Sequence, residues 1–529
     1  MTDDRFKILV SDPIASEGIE LLKNHADVDV KIGLTSHKLK GIIKAYDALI
    51  VRSETKVSAE IIEAGERLQV VGRAGVGVDN IDLDSATNHG VAVVNAPTGN
   101  LLAAAEHTVA LMLALARSVP QAGQSLKSGK WERGKFVGVE LRNKTLGIIG
   151  LGKVGTELAR RLQGFDMRLT AYDPFISPEY ARNLEIELVS FERLIAESDF
   201  ITIHTPLNEK TYHLIGKKEL SSMKQGVRII NVARGGLIDE DALLEALDGR
   251  IVAGVALDVF ATEPPGDSPL VKHPKAIVTP HLGASTMEAQ RDVAVEVAEQ
   301  VLAALRGEPA PNTVNAPVIP PEVHAIIAPY LSAASLVGKI LTQLVEGQFQ
   351  SIEIVYEGEI AQHDTAILKA AVLMGLLSQV SDERINLVNA SLQASRRGLN
   401  VVERKSTQAA QYRNLITVTL NTAVSSMTLA GTAMRGEPHI VRVNEYWLDM
   451  VPTVPYLLFI EHRDRPGMIG TVGTITANHD INIGFMEVGR LAPRGRAMMI
   501  LGLDDPIPPH VLGEFALVPH IDSAKPVKL

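Results

Sequence analysis

Through roughly residue 300, short and nearly continuous apolar runs alternate with helical patterns. The runs are FKILVSD, YDALIVRS, LGIIGLG, RLTAYD, FITIHTP, VRIINVA, AGVALDVF and AIVTPH. A strand that stays apolar on both faces between two helices predicts a parallel sheet covered on both sides. Two groups are distinguishable, one before the helical stretch at 103–117 and one starting near Leu141. The pattern predicts two doubly wound, Rossmann-like α/β lobes.

The periodicity then lapses in GEPAPNTVNAPVIPPEVH, 307–324, where five prolines predict an extended linker. Beyond it, SIEIVYEGEI alternates like a half-exposed strand, and HDTAILKAAVLMGLLSQV reads as a helix. Polar residues in 325–450 form no ligand or nucleophile constellation. The last segment reads strand (YLLFIEH), helix (RPGMIGTVGTITANH), strand (INIGFMEVGR), strand (RAMMILGLDD), helix (PPHVLGEFAL) and strand. That βαββαβ order is a ferredoxin-like unit. The expected fold is α/β: two Rossmann-like lobes followed by two α+β domains, of which the last is ferredoxin-like.

Composition narrows the chemistry. A chain of 529 residues exceeds what one core supports, so several domains are expected. A formal charge of −10 gives no reason to expect nucleic acid or an anionic membrane as partner. With no cysteine, disulfides, thiolate zinc sites and cysteine nucleophiles are excluded, and no metal is expected. The start of the chain lacks a secretory pattern. LLAAAEHTVALMLALAR is interrupted by Glu106 and His107, which makes it a buried helix rather than a membrane span. A cytoplasmic protein is expected.

The glycine pattern is the first chemical signal. Gly150-x-Gly152-x-x-Gly155 directly follows an apolar strand and directly precedes a helix. In that context the glycines permit a tight turn, the approach of a pyrophosphate and close helix packing, while the helix N-terminus faces the phosphates. Asp173 ends the next strand, 18 residues beyond Gly155. A carboxylate there accepts from ribose hydroxyls and repels a 2′-phosphate, so NAD is expected rather than NADP.

A nicotinamide enzyme acting on an alcohol must move a proton with the hydride and needs a cation for the anionic substrate. Three strand ends supply candidates: Arg234 in NVARGG, Glu263 in DVFATEPP and His281 in IVTPH. One histidine among 15 says little alone; together the three describe a site.

LGIIGLGKVGTELARRLQGFDMRLTAYDP, VRIINVARGGLIDEDALLEAL, AGVALDVFATEPP and TPHLGAST resemble the signatures of the D-isomer-specific 2-hydroxyacid dehydrogenases over roughly residues 5–315. VRSETKV, GRAGVGVDNID, KWERGKFVGVEL and the C-terminal extension are similar to the long, phosphoglycerate-oxidising members of that family. The resemblance implies a substrate lobe at 1–98 and 290–316 and an NAD lobe at 99–289. It further implies an intervening allosteric substrate-binding domain at 317–451 and a terminal ACT domain at 452–529.

The resemblance also assigns roles. His281 is expected as general acid/base with Glu263 as its partner, which favours the imidazolium, and Arg234 as the holder of the α-carboxylate and reacting oxygen. Asp258 is expected near the nicotinamide carboxamide. Further cofactor contacts are expected at Val76, Lys153, Val154, Thr205, Val232, Ala233, Gly283 and Ala284. Arg52 and Arg73 are expected at the substrate phosphate, Ser53 as a further substrate contact, and the backbone of Val76 and Gly77 at the substrate carboxylate. Arg133 or Lys135 is expected to come from a partner subunit. The implied reaction is NAD-dependent oxidation of 3-phospho-D-glycerate, the entry to L-serine synthesis, in a homo-oligomer expected to be a tetramer. L-serine is the expected effector, bound by His462, Asp464 and Asn482. Rival readings are a dehydrogenase for another 2-hydroxy acid and an NAD-sensing binding protein related to the C-terminal-binding corepressors.

Overall fold

The computed structural model describes residues 5–308, 310–408 and 411–529. Residues 1–4 of the expected first lobe, Pro309 of the expected linker and residues 409–410 lie outside the described residues. The first sheet comprises β1 (Lys7–Val10), β2 (Asp27–Val30), β3 (Ala48–Val51), β4 (Val70–Arg73) and β5 (Ala92–Asn95). All its pairings are parallel, in the order β2-β1-β3-β4-β5. The helix Met287–Leu305 returns to this sheet and buries Val293, Val297, Val301 and Leu302 in its core.

The second sheet comprises β6 (Thr145–Ile149), β7 (Arg168–Tyr172), β8 (Glu187–Leu188), β9 (Phe200–Ile203), β10 (Val227–Asn231), β11 (Val252–Leu257) and β12 (Ala276–Val278). It too is wholly parallel, in the order β12-β11-β10-β9-β6-β7-β8. The order reverses at β6, so a crevice opens at the carboxyl ends of β6 and β9. The helix Leu101–Arg117 joins the two lobes and buries Ala105, Thr108, Leu111, Met112, Leu115 and Ala116.

The proline-rich stretch is pinned where it begins. Val314 N donates to Val93 O at 2.8 Å, Thr313 bridges Val94 antiparallel, and the Asn315 carboxamide serves Val93 N and Val91 O. The physical cause is the open edge of β5, whose unpaired backbone groups need partners.

A third sheet follows in the order β14-β13-β15-β16-β17-β18, with β13 (Phe349–Gly358), β14 (Asn400–Ser406), β15 (Asn414–Thr422), β16 (Ser426–Met434), β17 (Glu437–Val443) and β18 (Tyr446–Met450). The run His324–Leu344 is long and apolar enough to cross a membrane. Here Ala334, Val337, Ile340 and Leu341 are instead buried in the core between this sheet and the helix Ala366–Leu377.

The last unit contains β19 (Tyr456–Arg463), β20 (Ile483–Arg490), β21 (Arg496–Leu503) and β22 (Ile521–Lys528), antiparallel in the order β20-β21-β19-β22. Alternate side chains divide its two faces. Leu458, Ile460, Met499 and Leu501 pack with the unit's own helices, whereas Leu457, Phe459, Met498 and Ile500 join the core of the preceding domain. The unit is therefore packed on its neighbour along a whole sheet face. The preceding domain in turn docks on the first lobe, where Asn386 Nδ2 donates to Gly90 O at 2.6 Å and Arg396 reaches Asn88.

Candidate active site

The loops after β6, β9, β10, β11 and β12 of the second sheet line one crevice, and Asp173 after β7 stands outside its lining. After β6, Gly150 adopts φ +93°, and a Cβ there would crowd His204 O across the crevice. Gly155 lies so close to Gly150 O that a Cβ would overlap it. Gly152 caps the helix Lys153–Leu162 and faces open space, which leaves the first helical N–H groups free for an anion. Asp173, just beyond β7, accepts from Leu151 N at 2.9 Å and from Phe175 N at 2.9 Å. It thus braces the glycine turn.

His204 and Thr205 follow β9. Burial pushes the His204 imidazole down to about 4, so the ring is neutral near neutrality, and its Nε2 shares a hydrogen bond with Thr202 Oγ1. Thr205 Oγ1 and, from the first lobe, Arg73 Nε are buried polar atoms with no partner among the described residues. Both residues line the cleft, as a site built for polar ligands requires.

Beyond β10, the Asn231 side chain ties the turn by accepting from Ala233 N and donating to Arg234 O. Arg234 Nη1 donates to Ala233 O at 2.6 Å, and its Nε lies 3.2 Å from Asp79 Oδ2 of the first lobe. After β12, His281 takes φ +54°, a left-handed conformation that costs a side-chain-bearing residue about 1 kcal/mol or more. Its Nδ1 lies 2.7 Å from Glu263 Oε2. Burial pushes the Glu263 carboxyl up, but the bond and charge of His281, with the Phe260 N–H, leave it below the usual range.

Asp258, after β11, is fully buried and does not line the cleft. Its carboxylate accepts from Leu282 N (2.7 Å), Gly283 N (2.8 Å), Thr279 Oγ1 (2.5 Å) and His107 Nε2 (3.2 Å). Burial opposes its ionisation, and these donors still hold it below the usual carboxylate range. It organises the loop that carries His281 from behind.

A cleft of about 680 Å³ lies between the lobes. Arg52, Ser53, Arg73, Val76 and Gly77 line it from the first lobe. Lys153, Val154, Thr205, Val232, Ala233, Arg234, Glu263, His281, Gly283 and Ala284 line it from the second. Burial pushes the Arg73 guanidinium down to about 10, which leaves it charged at neutrality.

Not every expected residue arrives. Arg133 and Lys135 form an exposed turn outside the cleft, and Lys135 pairs with Glu132 at 2.6 Å. In the last domain His462 is buried, with Nδ1 on Arg463 O, while Asp464 accepts from Arg490 and Arg494 and Asn482 donates to Asp504. No hydrogen bond among the described residues links these three to one another. Two residues that sequence reasoning missed are Asp79 and His107, each joined to its partner across more than 150 positions.

Residues 109–283 match the NAD binding domain of the D-isomer specific 2-hydroxyacid dehydrogenases, and 326–444 match the D-3-phosphoglycerate dehydrogenase intervening domain. The D-3-phosphoglycerate dehydrogenase of Synechocystis is 45% identical over 99% of this chain and 95% of its own length. The chain belongs to the D-3-phosphoglycerate dehydrogenase family. The Bacillus subtilis member is 42% identical over 99% of this chain and all of its own. Among solved structures, an NAD-dependent formate dehydrogenase from Staphylococcus aureus in complex with NAD superposes with a TM-score of 0.53 at 31% identity, over 57% of this chain and 96% of that one. The D-3-phosphoglycerate dehydrogenase family thus accounts for both the catalytic lobes and the extension.

Proposed function

We propose that the chain oxidises 3-phospho-D-glycerate to 3-phosphohydroxypyruvate with NAD, the first step of L-serine synthesis. The observation that carries this reading is a single cleft holding a proton-transfer pair and three arginines. The His281–Glu263 pair and Arg234 stand opposite Arg52 and Arg73 there. A carboxylate with a plain hydroxyl needs one cationic anchor; a phosphorylated hydroxy acid needs a second.

NAD, when bound, supplies the acceptor for the C2 hydride. The glycine turn and the N-terminus of the helix Lys153–Leu162 would hold its pyrophosphate, and the Asp173 carboxylate would accept from its ribose hydroxyls. Val76, Lys153, Val154, Thr205, Val232, Ala233, Gly283 and Ala284 complete that pocket, with Asp258 acting through the loop behind it. Glu263 occupies His281 Nδ1 and leaves Nε2 to take the C2 hydroxyl proton as the hydride departs. Arg234 holds the C1 carboxylate and the oxygen that becomes a carbonyl. Arg52, Ser53 and Arg73 receive the phosphate, and the N–H groups of Val76 and Gly77 the carboxylate. In the reverse direction His281 returns the proton.

The finer reading is a cytoplasmic homotetramer in which Arg133 or Lys135 reaches a neighbour's cleft. L-serine binds at His462, Asp464 and Asn482 where two terminal domains pair. Light scattering reads the assembly. L-serine should inhibit, and Asp464→Ala or Asn482→Ala should relieve inhibition; inhibition unchanged in both displaces the site. For the reaction itself, NADH absorbance is followed with 3-phosphoglycerate, glycerate and lactate. Preference for either unphosphorylated acid, or turnover of none, overturns the assignment.

A further inference from the structure

Arg234 and Asp79 belong to different lobes, yet they form one ion pair across the cleft. Arg234 follows β10 of the second sheet, and Asp79 lies in the loop after β4 of the first. The Arg234 side chain is 27% exposed and that of Asp79 67%. Both lie against the same stretch of backbone, since a Cβ on Gly77 would overlap Arg234 Nη2 and crowd Asp79 Oδ2.

The hydrogen-bond inventory of the guanidinium then decides what it offers. Its Nε donates to Asp79 and one Nη1 hydrogen to Ala233 O. A carboxylate can dock on either of two forked edges, Nε with Nη2 or Nη1 with Nη2. Asp79 takes the Nε hydrogen, so the first edge is closed. Among the described residues no acceptor takes a hydrogen from Nη2, and Nη1 spends one of its two, so the end-on edge is the one that keeps a donor on both nitrogens. A second consequence is electrostatic. Arg234 sits close enough to Arg73 to disfavour the Arg73 charge, and the Asp79 carboxylate favours it.

We infer that Asp79 is a positioning residue that closes the side-on edge of Arg234 and presents its end-on edge to the substrate carboxylate. It acts through Arg234, and because it stands on the opposite lobe the aim is correct only at this lobe spacing. The inference rests on the proposed function, but every 2-hydroxy acid carries the same C1 carboxylate.

The test compares Asp79→Asn and Asp79→Ala in the full chain, using 3-phosphoglycerate or whichever 2-hydroxy acid the parent oxidises. Parental failure with phosphoglycerate would count against the function and leave this test intact. Asp79→Ala should lower kcat/KM for the acid by about 10- to 100-fold, the worth of a charge-assisted hydrogen bond, with the KM for NAD changed less than about twofold. Asp79→Asn, which keeps an acceptor for Nε, should recover part of the loss. The deciding measurement repeats Asp79→Ala in an Arg234→Lys background. Lysine has no second edge to select, so the further loss there should be under about twofold. An equal loss in both backgrounds, or parental kcat/KM in Asp79→Ala, overturns the inference.

Discussion

His107 Nε2 lies 3.2 Å from Asp258 Oδ1, which ties the helix joining the two lobes to the loop that presents His281. Asp258 O also accepts from His281 N at 2.9 Å, so the left-handed backbone at His281 is held from one buried residue.

Asp258→Ala should therefore act on the loop rather than on chemistry. It leaves the N–H groups of Leu282 and Gly283 and the Thr279 hydroxyl without their acceptor, at a cost of about 2–4 kcal/mol. Thermal melting should fall by several degrees, and kcat by more than about tenfold. A parental melting temperature would show that the loop holds itself.

His281→Ala should lose about 10²–10⁴ in kcat while NAD binding, followed by calorimetry, stays near parental. Glu263→Gln should be milder. Glu263 is held below the usual carboxylate range and so is ionised through neutrality. Without that counter-charge His281 Nδ1 loses its ionised partner, and the pH dependence of the reductive rate should differ from the parent's. An unmoved pH–rate profile would remove Glu263 from the pair.

Asp173 carries two separable duties. Its hydrogen bond to Leu151 N braces the glycine turn, and under the proposed function its charge would repel a 2′-phosphate. Asp173→Asn keeps an acceptor and loses the charge, so it should relax the NADP/NAD ratio of kcat/KM with little loss for NAD. Asp173→Ala loses both and should also weaken NAD. Equal effects of the two variants would place the whole contribution in the charge.

What was legible in the chain was local. Parallel strands buried on both faces write themselves as apolar runs, and Gly150, Arg234, Glu263 and His281 announce themselves by standing just past such runs. The direction of a strand-end side chain is not written locally. Asp258 follows β11 as Arg234 follows β10, yet one is sealed under a loop and the other lines the cleft. Partners distant in sequence were equally hidden, because nothing around His107 points to Asp258 and nothing around Asp79 points to Arg234. The proline-rich stretch reads as a spacer, but its first residues meet an open sheet edge that only the folded lobe creates.

His204 supplies a stability test in acid. Burial lowers its folded pKa from 6.5 to about 4, so the unfolded chain binds the proton more readily. Its contribution is fully present above pH 6.5 and is lost as pH falls toward 4. His204→Asn should flatten that part of the melting-temperature profile. The same slope in parent and variant would assign the acid sensitivity to other groups.

Arg52 and Arg73 should separate phosphorylated from plain substrate. Arg52 is fixed at the end of β3 by its backbone N–H to Asp12 Oδ2 at 2.6 Å, and Arg73 ends β4 with its Nε buried and without a partner among the described residues. The carboxylate end of the substrate is shared by glycerate and phosphoglycerate, so only the phosphate distinguishes them. Arg73→Ala should lower kcat/KM for phosphoglycerate by about 10- to 100-fold and for glycerate much less. Arg52→Ala should act in the same direction but more weakly, because Arg52 Nη1 already donates to Pro13 O at an exposed position. Arg73→Lys should recover little, since a lysine cannot reproduce the planar fork in a partly desolvated slot. The measured quantity is the ratio of the two specificity constants in each variant. Equal losses for both substrates would move these arginines from the phosphate to the carboxylate or to the fold.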